Sequence, residues 1–244
     1  MYICGKGISQ IAPPGRRARD LLGIIRQNDT LRMRQMIEKM TACFQSRGPA
    51  VCLDDAAVID RVVKRHRCPP ERVTLQERHA AQAFQEVFFE TTPPERRIEK
   101  LTALFGAPPK SGPDDAVGVQ NEIRSHLMKA GKPCFVPETF ITPAQARELI
   151  LQLGGIPCYP VLADGAGSIC EYETPVEQLI AALKDSQYTL VEFIPLRNSP
   201  ETLAAYAKAI RAAGILVTVG TEHNTLDLAP MEPACRKGAQ IPEE

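Results

Sequence analysis

The sequence predicts an α/β fold with parallel strands across its carboxy-terminal half, and three observations predict it. Three helix-then-strand units succeed one another between residues 142 and 220; each helix opens on a Thr-Pro or Ser-Pro pair; and each strand is apolar almost throughout. Alternating strands would mark a sheet wetted on one face, whereas continuous apolar strands mark parallel strands covered by helices.

Taken in chain order, "MYICGKGIS" reads as a strand. "NDTLRMRQMIEKMTACFQSRG" reads as a helix capped by Asp29 or Thr30 and stopped at Gly48, with Met33, Met36, Ile37, Met40, Cys43 and Phe44 on one face. "DDAAVIDRVVKRH" and "TLQERHAAQAFQEVFF" are further helices, the second with a Thr74/Glu77 capping box. Pro-rich joints at "CPPE", "TTPPE" and "GAPPKSGPDD" punctuate this helical region of roughly 110 residues.

The first carboxy-terminal unit starts at Thr142-Pro143, with Gln145 completing a capping box and Leu149, Ile150 and Leu153 as the buried face. Gly154 is its left-handed stop, and the strand "IPCYPVLAD" follows. The second opens at Thr174-Pro175 with Glu177 as reciprocal cap, buries Leu179, Ile180 and Leu183, and leads to "YTLVEFIPL". The third opens at Ser199-Pro200, buries Leu203, Tyr206, Ala207 and Ile210, stops at Gly214 and leads to "ILVTVG".

With 244 residues, 44% of them hydrophobic and 24% charged, the chain has ample material for a core. No apolar run approaches the about 18 residues that span a bilayer, and the amino terminus lacks the apolar stretch of a secretory signal. A cytoplasmic location with no membrane partner is the expectation. Eight cysteines without a C-x-x-C pair point to reduced, mostly buried thiols. Residues 1–100 carry 18 Lys and Arg against 12 Asp and Glu, an excess that residues 101–244 reverse. So small an excess reads as solvated helix faces before it reads as a nucleic-acid surface.

Dinucleotide, Walker, nucleophile-elbow and H-E-x-x-H motifs are missing from the sequence. Chemistry in parallel α/β folds gathers beyond the carboxyl ends of the strands. Asp164 follows the first strand, Arg197 and Asn198 the second, and Glu222, His223 and Asn224 the third, so parallel strands place all six on one rim. Glu222 and His223 suit a divalent metal, the other reading being a loop acid and a backbone-bonded histidine. Arg197 is a phosphate hook or a turn residue. Arg78 and His79, in the first turn of a capped helix, can hold an anion, although His79 also fits a satisfied half-buried histidine. His66 lies in a basic run, and His126 on a helix has no evident partner.

"VTLQERHAAQAF", "SHLMKAGKPCFVPETFITPAQARELILQLGGIPCYPVLAD" and "VEFIPLRNSPETLAAYAKAIRAAGILVTVGTEHN" resemble, in order and spacing, the later portion of the PHP (polymerase and histidinol phosphatase) phosphoesterases. The resemblance implies a partial distorted (β/α)7, TIM-like barrel: residues 1–15 a barrel strand and linker, 16–130 a helical insertion, and 131–244 the closing βα units. It implies hydrolysis of a phosphorylated small molecule or nucleotide at a divalent zinc, manganese or magnesium site. Glu222, His223 and Asp164 stand nearest the family's ligand positions, and Arg78, His79, Arg197 and Asn224 nearest its substrate.

The departures carry expectations of their own. The family opens with an H-x-H strand, which nothing before Met1 supplies here. Its G-[ST]-D-x-H motif becomes Gly220-Thr221-Glu222-His223-Asn224, with the histidine displaced by one residue, and its "VLAHP" histidine has only Asp164 nearby. The expectation is weak metal binding and little activity from this chain, with a missing amino-terminal segment or an oligomer completing the fold. The alternative is a non-catalytic binding or assembly module derived from the same fold.

Overall fold

In chain order the elements are β1 (Cys4–Lys6), α1 (Arg16–Arg47), α2 (Asp55–His66), α3 (Glu77–Thr91), α4 (Pro94–Phe105), α5 (Ala116–Ile123), α6 (Pro143–Gln152), β2 (Ile156–Val161), α7 (Val176–Asp185), β3 (Leu190–Phe193), α8 (Pro200–Ala212) and β4 (Leu216–Val219). They come from a computed structural model that describes residues 3–10, 12, 15–165, 171–221 and 230–242. Two units divide the chain, one of residues 1–22 with 141–244 and one of residues 23–140.

The first unit holds a four-stranded sheet in the order β1-β2-β3-β4. Strands β2, β3 and β4 are parallel neighbours, Cys158 facing Leu190 and Leu190 facing Leu216. This is the arrangement that the three helix-strand units predict, because a right-handed crossover returns each strand beside the last. Strand β1 is antiparallel to β2, with Cys4 opposite Cys158. A TIM barrel needs eight parallel strands closed on themselves. Among the described residues the sheet is open and carries an antiparallel edge, so barrel closure is not seen there.

One face of this sheet packs on the crossover helices. Tyr159, Val161, Val191 and Phe193 bury against Leu179 and Leu183 of α7 and against Leu203 and Ile210 of α8. Side chains alternate across a strand, so Cys158, Glu192 and Thr218 lie on the other face.

Local signals set most helix ends. Thr142 caps α6 and exchanges hydrogen bonds with Gln145, and Ser199 caps α8 by accepting from the Thr202 N–H at 3.3 Å. Gly154 and Gly214 stop their helices at φ of +71° and +83°. The Thr174/Glu177 box does not form: α7 begins at Val176 with no side-chain cap, and the Thr174 hydroxyl lies 3.4 Å from the Tyr206 hydroxyl instead.

The second unit is helical. Met33, Met36, Ile37, Met40 and Phe44 of α1 pack with Phe84 and Phe88 of α3 and Leu101 and Leu104 of α4. Phe44 and Phe84 meet with their rings tilted at 52°, 5.0 Å between centroids. Two predicted helix starts are corrected. Asp29 and Thr30 do not begin a helix, since α1 runs through them from Arg16, and the Thr30 hydroxyl donates to the Arg26 carbonyl at 2.8 Å, a mid-helix outlet that replaces capping. The Thr74/Glu77 box is displaced: α3 starts at Glu77, whose carboxylate is taken by Arg32 and Lys129, and His79 closes the turn by accepting the Gln76 N–H at 3.2 Å. His126 finds two neighbours, stacking on Phe105 at 4.7 Å with Glu122 at 3.9 Å.

Candidate functional site at the carboxyl ends of the parallel strands

Parallel pairing brings the ends of β2, β3 and β4 to one rim. Past β2 the chain enters a short 3-10 turn, Ala163–Gly165, which carries Asp164; past β3 a second turn, Pro195–Arg197, leads through Asn198 into α8. Gly165 has to approach this second turn closely. A Cβ there would stand 2.8 Å from the Arg197 Cβ and 3.2 Å from the Asn198 amide nitrogen.

Asp164 is the hub of the rim. Its Oδ1 accepts from the Asn198 side-chain amide at 3.0 Å, and its Oδ2 accepts from the Ser199 N–H at 3.1 Å and faces the Arg236 guanidinium at 3.5 Å. Burial pushes the Asp164 carboxyl up, but the Asn198 and Ser199 hydrogen bonds, with the Arg236 charge, outweigh it and hold the group below the ordinary aspartate value. Asn198 also donates to the Leu162 carbonyl at 2.8 Å, which ties β2 to β3. Its Oδ1 is buried and has no hydrogen-bond partner among the described residues. Arg236, far along the chain, donates to the carbonyls of Asp164 and Arg197 and clamps both turns. Arg197 itself is exposed on this rim.

A second carboxylate lies beneath. Glu173 is fully buried, accepting from the Tyr159 hydroxyl and from the backbone N–H groups of Leu162 and Ala163 at 3.2 and 2.8 Å. It holds the chain where Ala163 adopts a φ of +44°, a conformation that costs an alanine energy unless its surroundings impose it. Burial and the Glu173 and Tyr172 hydrogen bonds drive the Tyr159 phenol far above its ordinary value.

A third carboxylate, Glu192, is on the sheet face away from the helices and pairs with Lys6 of β1. The hydrogen bond to Glu192 raises the Lys6 ammonium despite burial. Gly220, just past β4, is also fitted to Glu192, since a Cβ there would lie 2.7 Å from its Oε1. Beyond the strand ends, Pro195, Leu196, Gly220, Thr221 and Pro233 line an apolar cleft of about 270 Å³, where open α/β sheets take ligands.

The predicted site residues are thus distributed unevenly. Asp164, Arg197 and Asn198 share the rim, whereas Glu222, His223 and Asn224 lie outside the described residues. Arg78 and His79 belong to the other unit. His79 is half-buried and spent on capping α3, and burial first, then the charges of His66 and Arg65, hold it below the ordinary histidine value. Arg78 is exposed at the mouth of a cavity of about 400 Å³ where Glu77 meets Arg32, Arg124 and Lys129. Sequence reasoning missed Glu173, Glu192, Lys6 and Arg236. Glu192 alone had a local signal, as the one charge in the apolar strand "LVEF".

Of the ligands that the resemblance implies for a metal, Asp164 alone falls among the described residues. Among the described residues no three His, Cys, Asp or Glu side chains gather as a metal site. Asp164, the one described residue of the expected ligand set, has both oxygens engaged by donors.

No family model matches the chain, and no curated protein matches it significantly. Its fold is similar to that of a candidate metal-dependent phosphoesterase from Bifidobacterium adolescentis, with a TM-score of 0.54, 16% identity, and coverage of 91% of this chain and 65% of that one. It is similar also to an amidohydrolase from Chromobacterium violaceum with bound sulfate and no metal, with a TM-score of 0.56, 17% identity, and coverage of 96% and 68%. The chain therefore spans about two thirds of the length of the structures it matches. The fold is mixed α/β and akin to that of these hydrolase structures.

Proposed function

We propose that this chain is a diverged relative of the PHP phosphoesterases, built on part of a TIM-like wall, that binds a phosphate ester at the strand-end rim and hydrolyses it slowly or not at all by itself. The observation that carries the reading is the convergence of Asp164, Arg197 and Asn198 beyond parallel strands, beside an apolar cleft. Arg197 is the phosphate clamp at this rim, because a planar guanidinium matches phosphate geometry. Low catalytic power follows from Asp164, whose oxygens are committed to Asn198, Ser199 and Arg236.

Titration with inorganic phosphate and with a nucleoside monophosphate, alongside assays on p-nitrophenyl phosphate and its bis-ester in manganese or zinc, tests this. Binding that weakens several-fold in Arg197→Gln, with turnover near background, is expected. Brisk turnover, or binding indifferent to Arg197→Gln, would contradict the proposal. A second reading, an assembly module, rests on β4: Leu216 and Val219 are 67% and 46% exposed on an edge strand without a charge to guard it.

A further inference from the structure

We propose that Cys4 and Cys158 form a cross-strand dithiol that closes to a disulfide on meeting a hydroperoxide, with Cys4 as the attacking sulfur and Cys158 as the resolving one. The two residues are register partners in the antiparallel pairing of β1 with β2, so both side chains leave the sheet on the same face. Directly opposed residues in such a pair stand about 4.5–5.5 Å apart at Cα, whether or not they exchange hydrogen bonds. That spacing falls inside the about 4.4–6.8 Å that a disulfide bridges.

The neighbours are shared as well. Both thiols are pushed up by burial first and then by the Glu192 carboxylate, with Lys6 opposing, and Cys158 reaches about 11. Exposure separates the roles. Cys4 is half-buried and open to a small oxidant, whereas Cys158 is fully buried. Neither cysteine belongs to the phosphate-binding rim.

The chemistry balances with the hydroperoxide as sole oxidant. The Cys4 thiolate, a minor form because burial and Glu192 raise its thiol, attacks one peroxide oxygen, the O–O bond breaks, and the alcohol leaves with a proton, giving a sulfenic acid. The Cys158 sulfur then attacks the Cys4 sulfur; the S–S bond forms and the sulfenic hydroxyl leaves as water with the Cys158 proton. Two thiols lose two electrons and two protons, and the hydroperoxide becomes alcohol and water. The closed loop runs from residue 4 to residue 158 and contains all of residues 23–140. Closing it restricts the unfolded chain, so the oxidised protein melts at a higher temperature.

The full chain is treated with excess hydrogen peroxide, its remaining thiols are alkylated under denaturing conditions, and it is digested without reductant. The expected product is a peptide pair joining Cys4 to Cys158, lighter by two hydrogens than the reduced peptides and separated by reductant. In Cys158→Ser the same treatment stops at a Cys4 sulfenic acid, trapped by dimedone. Alkylated Cys158 beside a trapped or over-oxidised Cys4 in the unsubstituted chain would overturn the proposal. That map needs no variant, so it decides even where Cys158→Ser fails to fold; Cys4→Ser, at the half-buried position, should leave Cys158 fully alkylated.

Discussion

Asp164 shows how one side chain is drawn into structure. Three donors surround it, and a substitution that removes the carboxylate takes the acceptor from the Ser199 N–H and leaves the Asn198 amide with the Leu162 carbonyl alone. Asp164→Ala is expected to lower stability by about 1–3 kcal/mol in urea denaturation. Its depressed acidity fixes the pH dependence. A carboxyl held below its ordinary value contributes stability that is present above about pH 4 and lost as the pH falls through the folded value. The gap between the native chain and Asp164→Asn should therefore close on acidification below pH 4, and a constant gap would contradict the brace. His79 follows the same sign for a different reason. Its folded value is depressed because burial favours the neutral ring that accepts the Gln76 N–H, so this cap is intact above about pH 6.5 and weakens as the pH falls below that. A resonance titration of His79 should give a midpoint below about 6.5, and His79→Ala should cost about 1 kcal/mol; a midpoint above that value would rule the cap out.

At the scale of elements, the strand-end turns are held by partners that local sequence does not announce. Glu173 reaches back to the turn after β2, and its removal leaves two buried backbone donors without an acceptor. Glu173→Ala should cost about 2–4 kcal/mol, while Glu173→Gln, which keeps an acceptor oxygen, should cost less; equal losses by thermal melting would show that packing alone is at stake. The same contrast explains what could be read in advance. Thr142 and Ser199 were legible as caps because a cap, a proline and a polar partner sit within four residues, and the parallel order of β2, β3 and β4 followed from the helices between them. Thr174 was not, because its hydroxyl is drawn to Tyr206 across a gap of 32 residues, and Asp29 and Thr30 look like a cap in a helix already under way. Asp164, Arg197 and Asn198 were legible as strand-end residues, but that Asp164 is engaged by Arg236, some 72 residues later, was not. Glu192 acquires meaning only once β1 brings Lys6 beside it.

For the whole molecule, separate cores serve the two units, one packed between helices and holding the buried methionines, the other packed between sheet and helices. No described helix is long and apolar enough to cross a membrane. The likeness to hydrolase structures lies in fold, while the described donor set keeps Asp164 for the scaffold. Metal analysis of the full chain after dialysis against a chelator, then against manganese or zinc, tests this role of Asp164 most directly. Well under one ion per chain should be retained, with no change in Asp164→Asn, since zinc sites ordinarily take three or four protein ligands. One or more ions per chain, lost in Asp164→Asn or in Glu222→Ala and His223→Ala, would contradict it and make the strand-end rim a working metal centre.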